Sequence, residues 1–255
     1  MQVDLNADMG ESFGPWKMGD DAALLGTVTS ASIACGAHAG DPDVMATTMR
    51  IALEKGVGIG AHTGNADIQG LGRRRSDMPL VSLQNSIRCQ VGASLGMAHS
   101  LGATVRHIKL HGALGNMTSE DQDMARGCYE AALSAHPDAI IMVLAATAQE
   151  RAARELGATF ACEIFADRAY NADATLVDRR KPGAVLHDAD LAGKRMVDMV
   201  TAQAIITEDG TRIETPIDSI CCHGDTPEAV DIAASVRRTL EAEGITVKAF
   251  DGRQA

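Results

Sequence analysis

Residues 31–62 read ASIACGAHAGDPDVMATTMRIALEKGVGIGAH, which is one complete repeat of a pattern that runs through the chain. The segment begins with a short apolar run, ASIA, and ends with a second one, VGIGA, each typical of a buried strand. Between the two runs, Asp41-Pro42 predicts the N-cap and first turn of a helix, and apolar residues then recur at helical spacing until Gly56. A strand, a helix and a second strand in this order are typical of parallel strands connected by helices.

The same alternation continues from end to end, and no low-complexity linker divides the chain. We therefore predict an α/β fold, a single-domain (β/α) barrel of about seven strands over residues 1–255. An open doubly wound sheet is the structural alternative, because a local pattern does not show whether the sheet closes. The predicted strands are 3–5, 31–34, 57–61, 105–110, 140–144, 159–165, 219–222 and 246–250.

Three further turns and helix starts can be predicted from capping and turn residues. Thr118 and Asp121 resemble a capping box in front of a helix at 125–135. Thr226-Pro227-Glu228 predicts the start of a helix that runs to about residue 243. Asp209-Gly210, between two apolar runs, predicts a hairpin turn.

The composition excludes several classes of partner. Asp and Glu number 34 against 23 Lys and Arg, a formal net charge of -11, which disfavours binding to a phosphate backbone. No apolar run approaches the roughly 20 residues that span a bilayer, and the first residues carry no export signal. The six cysteines are dispersed without C-x-x-C spacing, which favours free thiols. We expect a cytoplasmic protein that binds neither nucleic acid nor a membrane.

Polar residues collect where the predicted strands end, and in parallel α/β folds such ends converge over one face of the sheet. Four of the eight histidines occupy these positions, and we expect at least three of them to face a common cavity. For a histidine taken alone, a hydrogen-bonded loop position is the alternative. Asp225 is a weaker candidate, because helix capping explains it equally well. The strand-end candidates are Asp4, Asn6, Asp8, His38, His62, Lys109, His111, Asp167 and His223.

Carboxylates beside neutral imidazoles suit two kinds of chemistry. They can hold a divalent metal that activates water, or they can exchange protons with an amide under attack. Arg73 and Arg74 follow the third strand and could bind a substrate carboxylate, with a solvated basic turn as the alternative. Cys35 and Cys222 lie beside histidines, but core packing is the favoured interpretation. No phosphate-binding glycine loop occurs, so any ATP would be bound in another way.

Seven segments together resemble one known family, LamB/YcsF, which includes the A subunits of bacterial 5-oxoprolinases. The resemblance is specific and extends from near residue 4 to near residue 230. The segments are DLNADMGE at 4–11, IACGAHAGD at 33–41, GLGRRR at 70–75, KLHGAL at 109–114, FADR at 165–168 with Tyr170, RKPGAV at 180–185 and HGDTP at 223–227.

The resemblance implies a seven-stranded barrel of the glycoside hydrolase/deacetylase type and ATP-dependent opening of the lactam 5-oxoproline to L-glutamate. It also implies 5-oxoprolinase subunits B and C as partners, which would handle the nucleotide. By analogy with deacetylases, a divalent metal is an option, with Asp4, His38 and His62 as its ligands. Oligomerisation of the chain with itself stays open. The expected catalytic residues are Asp8, His38, His62, Lys109, His111 and His223, and the expected substrate-binding residues are Asn6, Arg73, Arg74 and Asp167.

Four departures from the family pattern lie beside these residues: Ala37 for a phenylalanine, Thr63-Gly64-Asn65 for Pro-Ser-Tyr, Leu110 for a proline and Gly115 for a tyrosine. Loss of aromatic rings at these positions predicts a wider pocket and a larger lactam or cyclic amide as a substrate. Two further alternatives are a metal-dependent amidohydrolase or deacetylase that acts without ATP, and a non-catalytic subunit that binds the substrate for a partner.

Overall fold

The computed structural model describes residues 1–224 and 228–254. Its strands are β1 (Gln2–Met9), β2 (Ser30–Ala34), β3 (Gly58–Thr63), β4 (Val105–Leu110), β5 (Ile140–Leu144), β6 (Phe160–Phe165), β7 (Ala204–Ile206), β8 (Arg212–Glu214), β9 (Ser219–Cys222) and β10 (Thr246–Val247). Its helices are α1 (Asp21–Leu24), α2 (Pro42–Lys55), α3 (Leu80–Ser100), α4 (Gly112–Glu120), α5 (Gln122–Ala135), α6 (Ala148–Glu155), α7 (Ala189–Ala202) and α8 (Ala229–Ala242).

Seven parallel strands close into a barrel in the order β1-β2-β3-β4-β5-β6-β9. The closure is the pairing of β1 with β9, in which Asp4 lies opposite Ser219 and Ala7 opposite Cys222. This pairing confirms the predicted barrel and excludes the open doubly wound sheet. β10 pairs with the first residues of β1 outside the seven-strand ring.

The helices cover the outside of the barrel, and the main apolar core lies between the two layers. Outward-facing strand residues such as Leu5, Ile33 and Ile108 are fully buried in this core. Strands with helices packed against them need apolar residues on that face, which explains the apolar runs of the sequence. Within the described ranges, no helix is both long enough and apolar enough to cross a membrane.

The predicted start of α2 is confirmed in detail. The carboxylate of Asp41 accepts hydrogen bonds from the backbone N–H groups of Asp43 and Val44, and Gly56 ends the helix with φ of 69°. A left-handed residue at this position is the usual way in which a helix stops, and glycine adopts it without steric cost. The hairpin at Asp209-Gly210 is also confirmed, because β7 and β8 pair antiparallel around it.

Two local predictions are wrong. Thr118 caps no helix: it lies inside α4, an additional helix directly after β4, and its hydroxyl donates to the carbonyl of Leu114. Asp121 alone caps α5, accepting from the N–H of Met124. β1 is also longer than the predicted 3–5, because its polar residues belong to the strand and alternate with apolar ones. The predictions at Asp225 and Thr226-Pro227 lie outside the described residues.

Candidate active site

A cavity of about 770 Å³ lies at the carboxyl ends of the barrel strands. Its walls include side chains from β1, β4 and β6 and from the loops that follow β4 and β9. The titratable lining residues at the barrel end are Asp8, Lys109, His111, Glu163 and His223. A basic set, composed of Arg73, Arg74, Arg75, Arg168, Arg179, Arg180 and Lys181, also lines it.

Lys109 occupies the centre of the barrel end and is 4% exposed. Its Nζ donates to Asp8 Oδ1 at 2.7 Å, to Glu163 Oε1 at 2.6 Å and to Asn6 Oδ1 at 3.3 Å. Asn6 in turn donates to Glu163 Oε1 at 2.9 Å and to the hydroxyl of Ser219 at 2.8 Å. These contacts join strands across the barrel interior, so the groups form one buried network.

The network holds one cation between two carboxylates. Burial alone would raise the pKa of Asp8, but the neighbouring His62 and Lys109 hold it well below its ordinary value. Burial alone would lower the pKa of Lys109, but Asp8 and the other anionic groups around it hold it well above its ordinary value. Asp8 is therefore a stable anion and Lys109 a stable cation at neutral pH.

A second group of side chains, which we call the histidine cluster, consists of Glu11, His38, His62 and His111. His111 Nδ1 lies 2.9 Å from His62 Nε2 and 3.3 Å from Glu11 Oε1. His38 Nε2 lies 3.8 Å from the same Glu11 oxygen, and its ring stacks on that of His111 with centroids 3.9 Å apart. All four residues are buried.

Burial keeps the imidazoles of His38 and His111 neutral. It lowers the pKa of His38 well below its ordinary value and the pKa of His111 to about 3, and each is lowered further by other histidines of the cluster. The Nε2 of His111 lies 2.8 Å from the carbonyl oxygen of Leu71, so Nε2 carries the proton and Nδ1 carries the lone pair. His38 and His111 therefore present neutral nitrogen donors beside the carboxylate of Glu11.

His223 and Asp167 form a third arrangement at the barrel end. His223 Nδ1 lies 2.8 Å and 2.9 Å from the two carboxylate oxygens of Asp167. Burial would raise the pKa of Asp167, but the imidazole of His223 lowers it, so Asp167 is ionised and accepts from Nδ1–H. A carboxylate that fixes Nδ1–H leaves Nε2 as the proton acceptor, which is the geometry of an oriented general base.

Asp4 joins the Lys109 network through Ser219, whose hydroxyl donates to Asp4 and accepts from Asn6. Its carboxylate accepts hydrogen bonds from the hydroxyls of Thr29, Ser30 and Ser219. Burial raises the pKa of Asp4 to about 6. The histidine cluster meets two carboxylates: His111 Nδ1 lies 3.3 Å from Glu11 Oε1, and His62 Nε2 lies 3.3 Å from Asp8 Oδ2. The structure therefore brings together only two members of the sequence-predicted metal set, His38 and His62.

The arginines of the cavity differ in their contacts. Arg74 pairs with Asp67, and Arg75 pairs with Glu120 at 2.7 Å. Arg73 lines the cavity, and its charge acts on His38 and His111.

Arg168 is a further lining residue, and its role is structural. It is buried and donates to the carbonyl oxygens of Val177 at 2.6 Å and Ala184 at 3.3 Å. It therefore holds the segment between these two residues, part of which forms the cavity wall.

A model of the LamB/YcsF family matches residues 3–255. The chain belongs to the LamB/YcsF family. A relative from Ruegeria pomeroyi, named as the A subunit of 5-oxoprolinase, is 66% identical over 98% of this chain and 99% of its own length. A protein of the same name from Gluconobacter oxydans is 48% identical over 97% and 98% of the two chains.

Solved structures show the same barrel architecture. The lactam utilization protein of Thermus thermophilus superimposes with a TM-score of 0.91 at 35% identity, over 98% of this chain and all of that one. A β-1,4-mannanase at 9% identity and TM-score 0.54, over 95% of this chain and all of that one, shares the fold alone. So does a deacetylase at 11% identity and TM-score 0.50, over 99% and 94% of the two chains. The predicted glycoside hydrolase/deacetylase-type barrel is confirmed.

Two of the four departures from the LamB/YcsF pattern lie on the cavity. Leu110 and Gly115 are lining residues, whereas Ala37 and Thr63 are not. Cys35 and Cys222 belong to the apolar core, as expected, and burial raises the pKa of Cys35 to about 12, so its thiol is unreactive. All six cysteines are free.

Sequence reasoning assigned no role to Glu11 or Glu163, although both belong to the buried groups of this LamB/YcsF barrel. Glu163 is the one charged residue in the apolar strand FACEIF, and this interruption is a signal for an inward-facing polar position. Glu11 follows β1 by two residues and lies in the first family-like segment.

Proposed function

We propose that this chain is the A subunit of an ATP-dependent 5-oxoprolinase that acts in the cytoplasm together with B and C subunits. The reaction consumes 5-oxoproline, ATP and two water molecules and yields L-glutamate, ADP and phosphate. The observation that carries the proposal is the 66% identity, over 98% of this chain, to a protein named as the A subunit of 5-oxoprolinase. Assignment of the nucleotide to the partners is supported by the lack of a phosphate-binding glycine loop in the sequence.

The chemical task in the cavity is to open a lactam. A water oxygen must bond to the carbonyl carbon, the ring C–N bond must break, and the nitrogen must gain a proton. His223 is the group best placed for both proton transfers, because Asp167 fixes its Nδ1–H and leaves Nε2 to accept a proton from water and return it to the nitrogen.

Negative charge that develops on the lactam oxygen needs a donor. Lys109 is a buried cation on the cavity wall, and its contact with Asn6, at 3.3 Å, is the longest of its three oxygen contacts. A lactam oxygen in place of Asn6 Oδ1 would lie against the ammonium group, where low polarity strengthens the interaction. Asp8 and Glu163 hold Lys109 in position for this contact.

The free carboxylate of 5-oxoproline requires a cation on the cavity wall. We assign this role to Arg73, because it lines the cavity and its charge acts on His111 at the same wall. A planar guanidinium can bind a carboxylate through two parallel hydrogen bonds. Arg74, the second arginine predicted from the sequence, would instead hold the loop through Asp67.

A larger lactam is the second candidate substrate. Gly115 lines the cavity at a position where a tyrosine is common in the family, and the cavity of about 770 Å³ lies near the upper end of the range for small-molecule sites. A panel of ring-enlarged and substituted lactams, compared with 5-oxoproline by kcat/KM, would separate the two candidates.

The test of the proposal is an omission and replacement assay. Glutamate release from 5-oxoproline and ATP is measured with this chain alone, with B and C subunits alone, and with all three. We expect release only from the complete mixture. The Ruegeria pomeroyi relative replaces this chain as a positive control, and release with the relative but not with this chain would contradict the proposal.

A further inference from the structure

We propose that the histidine cluster, Glu11 with His38, His62 and His111, is a binding site for one divalent transition-metal ion of the zinc class. The four side chains come from the segments that follow β1 and β2, from β3 itself and from the residue after β4, which are neighbours in the barrel. One ligand atom from each lies within 4.8 Å of all the others.

The distances within the cluster suit a single ion. Four ligands about 2.0–2.1 Å from a tetrahedral zinc ion lie roughly 3.3 Å from one another. The observed separations are 2.9 Å between His62 Nε2 and His111 Nδ1, 3.3 Å between His111 Nδ1 and Glu11 Oε1, and 3.8 Å between His38 Nε2 and the same oxygen. Three imidazole nitrogens and one carboxylate oxygen form a ligand set that zinc commonly accepts.

The hydrogen-bonding pattern of the cluster also points to a ligand. Both ring nitrogens of His38 are buried and have no hydrogen-bond partner among the described residues, although the side chain is fully enclosed. Buried polar atoms are normally satisfied, so an enclosed imidazole with neither nitrogen satisfied requires an explanation. His111 shows the complementary feature, since its Nε2 is fixed by the carbonyl of Leu71 and its Nδ1 lone pair faces Glu11 and His62.

Backbone packing holds the rings in place. A Cβ on Gly72, whose φ is 62°, would lie 2.7 Å from the Cβ of His38 and 2.8 Å from the Cδ2 of His111. A Cβ on Gly64 would lie 2.6 Å from Nδ1 of His38. Glycine at these two positions lets the segment between β3 and α3 close directly over the imidazoles, so the donor atoms are fixed before a ligand arrives.

A second group that could hold a metal, Asp8 with Cys221 and His223, is the weaker site. Lys109 Nζ lies 2.7 Å from Asp8 Oδ1 and 3.1 Å from Cys221 Sγ, so an ammonium group already occupies the position of the cation. In the histidine cluster, His111 Nδ1 lies 2.9 Å from His62 Nε2 and 3.3 Å from Glu11 Oε1, and His62 Nε2 also lies 3.3 Å from Asp8 Oδ2.

With all four side chains as ligands, a tetrahedral zinc ion would have no vacant position, so it would polarise a water or a substrate oxygen only on expanding to five ligands. His111 is both a member of the cluster and a lining residue of the cavity, so the site adjoins the place assigned to the substrate. A role of the metal in lactam opening rests on the proposed function, whereas metal binding itself does not.

The test is metal binding by the full-length chain without substrate, ATP or partners. Protein stripped with a chelator is titrated with Zn²⁺ by calorimetry, and the metal retained after dialysis is counted by mass spectrometry. We expect one Zn²⁺ per chain and a higher unfolding temperature. Binding should be at least about 100-fold weaker in Glu11→Gln and His38→Gln, which keep the side chains polar and of similar size, and unchanged in His99→Ala, an exposed control.

Circular dichroism first shows that each variant is folded, and the visible spectrum of the Co²⁺-loaded protein gives a second readout of nitrogen and oxygen ligands. Failure of the wild-type chain to retain metal would overturn the inference. So would unchanged binding in the two cluster variants, or loss of binding in Cys221→Ser alone. Because no outcome depends on glutamate formation, failure here is distinguishable from failure of the proposed function.

Discussion

Removal of the Lys109 side-chain charge should strongly destabilise the barrel. In Lys109→Met, the carboxylates of Asp8 and Glu163 lose a buried ammonium at 2.7 Å and 2.6 Å. Breaking a buried pair from one side typically costs about 3–5 kcal/mol, because an uncompensated charge stays buried. With an unfolding entropy of about 2.1 cal/mol/K per residue, a loss of about 4 kcal/mol in a chain of this length lowers the unfolding temperature by about 7 °C.

The assay is urea unfolding and thermal unfolding of the chelator-treated protein near neutral pH. Lys194→Met, at an exposed position of α7, is the matched control and should change the free energy of unfolding by less than about 0.5 kcal/mol. The double variant Lys109→Met/Glu163→Gln should be more stable than Lys109→Met, since one of the two unpaired charges is gone. A Lys109→Met protein as stable as the control would refute the reasoning that the network is an ionised, mutually dependent unit.

Three further changes test other parts of the account. Burial raises the pKa of Asp4 to about 6, above its unfolded value of about 3.8, so the folded state loses stability as the pH rises through this interval. The free energy of unfolding of Asp4→Asn should therefore rise relative to that of the wild type by up to about 3 kcal/mol between about pH 4 and pH 7. Urea unfolding across that pH range measures this difference. Tyr129→Phe removes a buried hydroxyl without a hydrogen-bond partner among the described residues and should raise the free energy of unfolding by about 1 kcal/mol; a loss of that size would show that the hydroxyl is satisfied. Gly64→Ala should cost about 1–3 kcal/mol and displace His38, because the new Cβ would lie 2.6 Å from its Nδ1; an unchanged unfolding curve would contradict this packing.

The barrel was predictable because its evidence is local and repeated. Each βα unit carries its own apolar strand, capping residue and helical period, as at Asp41 and Gly56, and these signals do not depend on distant contacts. Closure of the barrel is different, because it rests on a pairing between Asp4 and Ser219, which are far apart in the sequence. Local pattern therefore left the open sheet as an alternative, and only the three-dimensional pairing removed it.

The candidate site was predictable in its location but not in its internal grouping. Strand ends correctly indicated the end of the barrel at which these groups lie, since parallel strands bring their carboxyl ends to one face. The expectation that at least three of the four histidines line one cavity is wrong, because only His111 and His223 do so, while His38 and His62 lie beside His111. Which groups touch depends on strand register and side-chain direction, and these place Asp4 among hydroxyls and Glu11 beside the histidines. Residue spacing predicts neither the position of Asp4 among hydroxyls nor the position of Glu11 beside the histidines.

The most direct test of the central claim, that the lactam opens in the cavity of this chain, is glutamate release by His223→Ala in the complete mixture with B and C subunits and ATP. The variant removes the group that Asp167 orients. Assembly is checked by gel filtration, so that a loss of activity is not a loss of the complex. The account predicts a rate lower by a factor of about 10²–10⁴ with assembly intact, the usual contribution of a general base. A rate close to that of the wild-type mixture would place the chemistry elsewhere and contradict the account.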